Sequence, residues 1–429
     1  MNLDCREFRL PNGLRLLVHE DPSSLVVAVN VWYHVGSRNE RPGRTGFAHL
    51  FEHLMFEGSA NVPLGEFDRL LEQAGGINNG STSPDRTNYW ITVPAGGLEL
   101  ALFLESDRMG GLLDALTRER FETQRDVVRN ERRESYENRP YGLVDERMLA
   151  SLYPAEHPYH WPVIGHLEDL DAATFEDAAS FFGTWYGPNN ASLSIAGNVE
   201  AEHVLGLVEK YFGDIPPGDE PPALHVPPVH LETDLHEVLE DSVHLPRAYL
   251  GWHSPPAFAE GDAALDVLAH LLASGKASRL HRELVIEQEL ALDVWAHQAS
   301  GHSGSMFEAG GTSRAGQPLE PLVDGIRGVL RRVASEGILQ AELDNARAAI
   351  LTSLVDDLQT MGGFGGRADR FNLYAFHTGD PLYVNRDVER FARLSTEDVR
   401  IAARDWLERP AVRISVVPAG ETRLAGEAA

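Results

Sequence analysis

Ile215-Pro-Pro-Gly-Asp-Glu-Pro-Pro-Ala-Leu-His-Val-Pro-Pro228 stands almost at the middle of this 429-residue chain. Each proline fixes its own φ and lacks an N–H, so neither a helix nor a central strand can hold this run, and residues 218–228 read as a semi-rigid linker. The length exceeds what one hydrophobic core usually supports, which predicts one domain at 1–217 and a second at 229–429. Working outward, the two sides look like diverged copies. An apolar strand, Val26–His34 (VVAVNVWYH) or Ala248–His253 (AYLGWH), precedes a helix-forming run in each half. An alternating strand, Ala191–Ala196 (ASLSIA) or Val412–Val417 (VRISVV), closes it. The expected fold class is α+β: two homologous α/β-sandwich domains, each a mostly antiparallel sheet with helices packed on one side.

At 43% hydrophobic and 24% charged, the composition is that of a globular protein. A formal net charge of −28 lacks the basic footprint that phosphate backbones require, so no nucleic-acid partner is expected. No run approaches the ~20 apolar residues that span a bilayer, and Met1–Asp21 lacks the layout of a signal peptide. The sequence therefore predicts no membrane association and a cytoplasmic location, with the periplasm as the alternative. The single cysteine, Cys5, permits no thiolate cluster, so any metal must be held by His, Asp or Glu.

Phe47-Ala-His-Leu-Phe-Glu-His-Leu-Met-Phe56 places three ionisable residues in an otherwise apolar run. Burying such groups without partners costs several kcal/mol, so they need a common partner. On a helix His49 and His53 stack one turn apart and offer two imidazoles to one ion. Glu52 lies about 60° round from His49, within reach of an attacking water without being a ligand. The second half, laid on this string, has Asp266 for His49 and Ala269 for Glu52 and keeps only His270, so it carries no equivalent site.

With 18 histidines in the chain, a chance His-x-x-Glu-His string is expected in about 1 of 15 such sequences, so a third ligand has to be found independently. Its best source is the polar helix expected over Thr117–Arg139, stopped by Pro140. Phe121, Gln124, Val127, Val128 and Ser135 define its less polar face, and Glu131 falls within about 20° of Gln124 at the centre of that face. Glu122 and Glu137 point away. Glu134 sits about 80° off, a substitute or supporting candidate. One zinc ion held by His49, His53 and Glu131 is the expected cofactor.

His49–Gly58 (HLFEHLMFEG), Gly75-Gly-Ile-Asn-Asn-Gly-Ser-Thr82, Thr87-Asn-Tyr-Trp90, Val127-Val-Arg-Asn-Glu-Arg-Arg133 and Gly362-Gly-Phe-Gly-Gly-Arg367 occur in that order. Together they resemble the pitrilysin and mitochondrial-processing-peptidase family, over nearly the whole chain from Phe8 to about Pro418. The resemblance implies a zinc endopeptidase in which Glu131 is the distant ligand. It also implies two α+β domains per half-barrel, and two half-barrels enclosing a chamber for unfolded peptides. Two departures stand out. Many relatives carry a glutamate seven residues before the ligand where this chain has Gln124, left to hydrogen-bond a ligating histidine. Val285 and Leu292 occupy the positions of an Arg and a Tyr that bind substrate and stabilise the tetrahedral intermediate. A homologous subunit carrying that pair is the expected partner, a homodimer the alternative, with Arg279 or Arg282 the substitute donors in that case. A non-catalytic assembly subunit of the same fold is the competing function.

Substrate contacts are expected from Asn78, Asn79, Gly80, Ser81 and Thr82, beside a strand at Thr87–Val93 able to add a peptide as an extra strand. The same residues would equally suit a hairpin turn at Asn79-Gly80. His157 and His160 have metal-like spacing, but Pro158 makes a turn of them and a structural role is expected. Gly362-Gly-Phe-Gly-Gly366 lacks the Lys-Ser/Thr of a nucleotide loop, which leaves close packing or a hinge.

Overall fold

A computed structural model describes residues 3–426. The chain forms two compact units, one of 1–132, 161–225 and 354–387, the other of 133–160, 226–353 and 388–429. In the first half lie strands β1 (Arg6–Arg9), β2 (Arg15–Glu20), β3 (Val26–Tyr33), β4 (Ile77–Thr82), β5 (Thr87–Pro94) and β6 (Ala191–Gly197). Helices α1 (Phe47–Leu54), α2 (Glu66–Gln73), α3 (Leu98–Ala115) and α4 (Arg118–Arg132) come first in that half. They are followed by α5 (Val144–Leu152), α6 (Leu167–Ala172), α7 (Phe175–Trp185) and α8 (Ala201–Phe212). After residues 216–231, which carry neither helix nor strand, come β7 (Leu235–Asp241), β8 (Arg247–Ser254), β9 (Ala291–Ala299), β10 (Ser305–Ser313) and β11 (Val412–Pro418). The helices of this half are α9 (Asp262–Ala273), α10 (Glu320–Glu336), α11 (Gln340–Asp357), α12 (Arg367–Thr378), α13 (Val384–Ala392) and α14 (Thr396–Leu407).

The strands form two mixed, mostly antiparallel sheets, ordered β1-β2-β6-β3-β5-β4 and β7-β11-β8-β10-β9, and neither closes into a barrel. In both, the last strand of the half enters between two earlier strands and pairs parallel with one of them, β6 with β2 and β11 with β7. This is the repeated layout expected of two α/β sandwiches. β3 is buried at every residue but its first, and β6 throughout. A strand buried on both faces needs two covering layers. The main helical layer of the first unit, with α1 and α3, covers the face carrying Tyr33 and Tyr89. A single helix, α12, covers the opposite face at Ala28, Asn30 and Trp32. In the second unit α9, α10 and α14 contact β9, β10 and β8, while α5 covers the other face, packing Val144, Met148 and Leu152 on Tyr249, Val412 and Ile414.

The units therefore differ from the continuous domains expected at 1–217 and 229–429, because α5 and α12 each lie across the linker from the sheet they cover. β1–β6 precede and β7–β11 follow residues 218–228, while α5 and α12 each cover the sheet of the other half. Helical periodicity does not say which sheet receives an apolar face.

Candidate metal centre

α1 starts after Gly46, whose φ of +89° suits glycine. Two N–H groups at its start, of Gly46 and Ala48, donate to the Glu40 carboxylate at 2.9 and 2.8 Å. Burial pushes the Glu40 carboxyl up to about 8, against these hydrogen bonds. Phe47, Ala48, Leu50, Phe51 and Leu54 face the core, with the Phe51 ring on Phe181 and Tyr186. That packing fixes the rotation of the helix and leaves His49, Glu52 and His53 together on the half-buried side. Beneath the end of the helix, the Arg108 guanidinium is paired with Glu105 and lies 4.2 Å from the Tyr89 ring centre and 5.3 Å from that of Phe56.

α4 brings Glu131 to the two histidines. His53 Nε2 lies 3.2 Å from Glu131 Oε2 and His49 Nε2 lies 3.8 Å from Glu131 Oε1. One ligand atom from each of the three residues falls within 4.8 Å of the others, the one such group of three or more among the described residues. Phe121, Val128 and Arg132 are the buried residues of α4, and Val127 is 41% exposed, so the inner face is rotated away from the one expected. The expected α-helix to Arg139 instead turns π-helical at Arg133–Glu137, where Asn138 N–H reaches back to Arg133 O at 2.8 Å. Single π turns in α-helices are frequent at functional sites. Glu134, on that turn, is exposed and outside the group of three.

The electrostatics suit a cation. Burial lowers the His49 pKa against the opposing pull of Glu131, which keeps the imidazole neutral and able to donate a lone pair. Its Nδ1 is buried with no hydrogen-bond partner. Glu131 is held below the usual carboxylate range, first by the hydrogen bond from His53. Two imidazoles and a carboxylate on one point are a zinc donor set. The Glu52 carboxyl is raised by burial, against the hydrogen bond that Thr82 Oγ1 donates to its Oε2 at 2.6 Å.

Of the five residues expected to touch substrate, Thr82 is thus bonded to Glu52. Asn79-Gly80 lies inside β4, an edge strand, and the reversal falls at Ser83–Arg86, so these residues do not form the hairpin turn. A Cβ at position 80 would sit 3.1 Å from the Tyr89 ring, a tight contact that glycine avoids. Asn79 Oδ1 accepts from Gly80 N–H at 2.8 Å, Asn78 Nδ2 donates to Asp68 at 3.0 Å, and Ser81 Oγ donates to Asn88 at 2.6 Å.

The expected hydrogen bond from Gln124 to His49 or His53 is replaced by another: its Nε2 donates to Glu57 Oε1 at 2.7 Å. Glu57 is a carboxylate that interacts electrostatically with His53, and burial raises its pKa while Arg120, Gln124 and His53 lower it. Sequence reasoning missed Glu57, although it stands inside the HLMFEG string. It also missed Arg86, whose Nη1 holds Ser81 O at 2.9 Å and whose charge acts on Glu52.

Elsewhere, the His157 ring stacks on Tyr153, its Nδ1 accepts from Tyr159 N–H at 3.1 Å, and His160 Nδ1 lies 2.7 Å from Tyr153 O. These contacts match a structural turn. In the second unit Val285 lies on a π-helical turn and Leu292 is 45% exposed. Arg279 is doubly bonded to Glu342, both at 2.7 Å, and Arg282 lies 3.6 Å from Glu287.

The family model for insulinase (peptidase family M16) matches residues 15–160, and that for the peptidase M16 inactive domain matches residues 172–350. Zinc protease PqqE of Helicobacter pylori is 34% identical over 366 residues, covering 83% of this chain and 81% of its own. The crystal structure of a protease from Helicobacter pylori superposes with a TM-score of 0.91 at 30% identity, over 97% of this chain and 100% of that one. A peptidase M16 inactive domain from Pseudomonas fluorescens shares the fold, with a TM-score of 0.85 at 16% identity over 97% and 98% of the two chains. With both halves matched in order and a relative of this identity aligned over most of its length, the chain belongs to the M16 peptidase family.

Proposed function

We propose that the chain is a zinc metalloendopeptidase, with the metal held by His49, His53 and Glu131 and with Glu52 as general base. The observation that carries this reading is the meeting of three ligand atoms within 4.8 Å beside a fourth carboxylate kept in place by Thr82. Zinc bound there supplies a Lewis acid for the scissile carbonyl and lowers the pKa of water. Thr82 occupies Glu52 Oε2, so Oε1 takes the proton of the attacking water and returns it to the leaving amine. The edge strand β4 binds the peptide backbone as an added strand, which makes few demands on sequence and suits unfolded polypeptides. Residues 1–217 and 229–429 are the two copies of the duplicated half, joined by 218–228.

The chain acts as the metal-bearing subunit of a heterodimer, in a chamber completed by a homologue of the same fold. Val285 and Leu292 provide no oxyanion donor, and Arg279 is held by two hydrogen bonds to Glu342, while Arg282 makes an exposed 3.6 Å contact with Glu287. An intermediate without such donors loses roughly 3–4 kcal/mol of stabilisation, so the partner supplies them. The same two residues favour the second reading, a non-catalytic subunit. Metal analysis beside peptide cleavage, with and without chelator, decides between the two. About one zinc per chain and chelator-sensitive cleavage, slow alone and stimulated by a homologue with an intact Arg/Tyr pair, are expected. Glu52→Gln should keep its zinc and lose ~10²–10⁴-fold in rate. Zinc without cleavage in any combination of subunits establishes the second reading, and a fully active homodimer removes the heterodimer.

A further inference from the structure

The glycine-rich run before α12 is built as a stiff mount. Gly363 and Gly365 have φ of +80° and +78°, a left-handed conformation that glycine adopts without strain. A Cβ on Gly362 would lie 2.0 Å from Thr92 Oγ1 and 3.0 Å from Ala28 Cβ, so the backbone rests directly on the first sheet. Gly365 N–H donates to Asp369 Oδ2 at 2.8 Å, while Asp369 Oδ1 accepts from Trp32 Nε1 at 2.8 Å and Asn88 Nδ2 at 3.1 Å. Arg367 ties the start of α12 to Asp21 at 2.5 Å and to Leu358 O at 2.7 Å. What this mount presents is an aromatic ring: Phe364 is 50% exposed, edge-on to Trp90 with centroids 5.7 Å apart at 87°.

A lone exposed apolar side chain needs no explanation. This one has a position that gives it a use. Trp90 is paired with Asn79 of β4, and Thr82, the residue bonded to Glu52, lies three positions further along the same strand. Side chains alternate on a strand, and two sets of contacts assign the faces. Gly80 and Thr82 face the Tyr89 and Glu52 side. Ile77, Asn79 and Ser81 face the side of Asn88, Asp369 and Phe364. Ile77 on that side is 63% exposed. A peptide added to β4 places alternate residues on each face, and the residue opposite Asn79 sits roughly 10 Å along the strand from the level of Glu52.

We propose that Phe364, Trp90 and Ile77 form an apolar subsite that selects a bulky hydrophobic substrate residue about three positions from the scissile bond, on the face of β4 turned away from His49 and His53. The subsite rests on the reading of β4 as the peptide-binding edge. It gives a cleavage site a side-chain preference that backbone pairing alone does not.

The test uses a fluorogenic peptide series with Ala or Phe at each of the second to fifth positions on either side of one cleavage site. kcat/KM is measured on the full chain with its partner subunit, and Kd on the Glu52→Gln variant. The parent should favour Phe over Ala by about 10-fold at one position, three or four residues from the bond cut. That ratio should fall to within about 3-fold in Phe364→Ser and be largely kept in Phe364→Leu. A parent with no preference at that distance, or a ratio unchanged by Phe364→Ser, overturns the subsite. Loss of the peptidase reading looks different: no cleavage of any peptide, with the Phe364-dependent preference still present in Kd.

Discussion

Thr82→Val tests the coupling between the edge strand and the general base. The substitution keeps the shape of the side chain and removes the hydroxyl that donates to Glu52 Oε2 at 2.6 Å. Burial raises the Glu52 pKa, and the Thr82 hydrogen bond is first among the groups that lower it, ahead of His53 and Arg86. A hydrogen bond to a charged group contributes about 1.5–3 kcal/mol. At 1.36 kcal/mol per tenfold change, its loss strengthens proton binding at the carboxylate by about 10–100-fold. The sign follows from the role of the base, which accepts a proton only when ionised. Without the donor Glu52 holds its proton to higher pH, so the acid limb of kcat/KM moves to higher pH. The rate below that limb falls, and the rate above it changes less. The assay is a pH profile of kcat/KM on one fluorogenic peptide, with zinc content measured on the same preparation and Thr82→Ser as the control that retains the donor. An acid limb that stays in place in Thr82→Val, with zinc retained, refutes the assignment of Glu52 as the base steadied by Thr82.

His49→Ala and His53→Ala should each abolish stoichiometric zinc, since two ligands remain where three are needed, as read by elemental analysis. Glu131→Gln should weaken zinc binding more than Glu134→Gln, and equal losses would mean that the wrong carboxylate was chosen. In the second unit, Glu308 is 4% exposed, accepts from Trp295 Nε1 at 2.8 Å, and is raised by burial from 4.5 to about 7. The folded state therefore holds a proton that the unfolded chain has released between pH 4.5 and 7, and stability falls as pH rises through that window. Glu308→Gln keeps an acceptor for Trp295 and does not ionise, so its advantage over the parent should be near zero at pH 4.5 and reach at most roughly 3 kcal/mol above pH 7. Urea unfolding at the two ends of the window measures it, and equal differences at both would exclude Glu308 as the titrating group.

Much of the candidate site was legible because its decisive spacings are local. His49, Glu52 and His53 lie within one and a half turns, and an apolar run that leaves three ionisable residues on one side of a helix states its geometry in one dimension. Glu131 is expected from helical phase, and it lies beside the two histidines although Val127 is exposed and the buried Phe121, Val128 and Arg132 set an inner face rotated from the one expected. What stayed hidden depends on chain reversal. Thr82 meets Glu52 only because β4 pairs with β5 and passes beside α1. Gln124 meets Glu57 across 67 residues, so a glutamine that looked like a lost carboxylate stands beside one supplied by another element. Central strands of the two sheets could be read from their apolar and alternating runs. The exchanged covers could not, since the pattern of a helix does not name the sheet it will cover.

That exchange sets how the gene could be cut. A fragment ending at the prolines would carry His49, Glu52, His53 and Glu131 and still be an unfinished protein. Trp32 and Asn88 would lose Asp369 as their acceptor, Ala28 and Ala196 would lose the helix above them, and Asn30 would face water. The complementary fragment would bare the apolar sheet face that Met148 and Leu152 close. A protease that nicks residues 218–228 should accordingly leave two pieces that remain associated and migrate together until denatured. Neither half, cut at the prolines, keeps both covers of its own sheet.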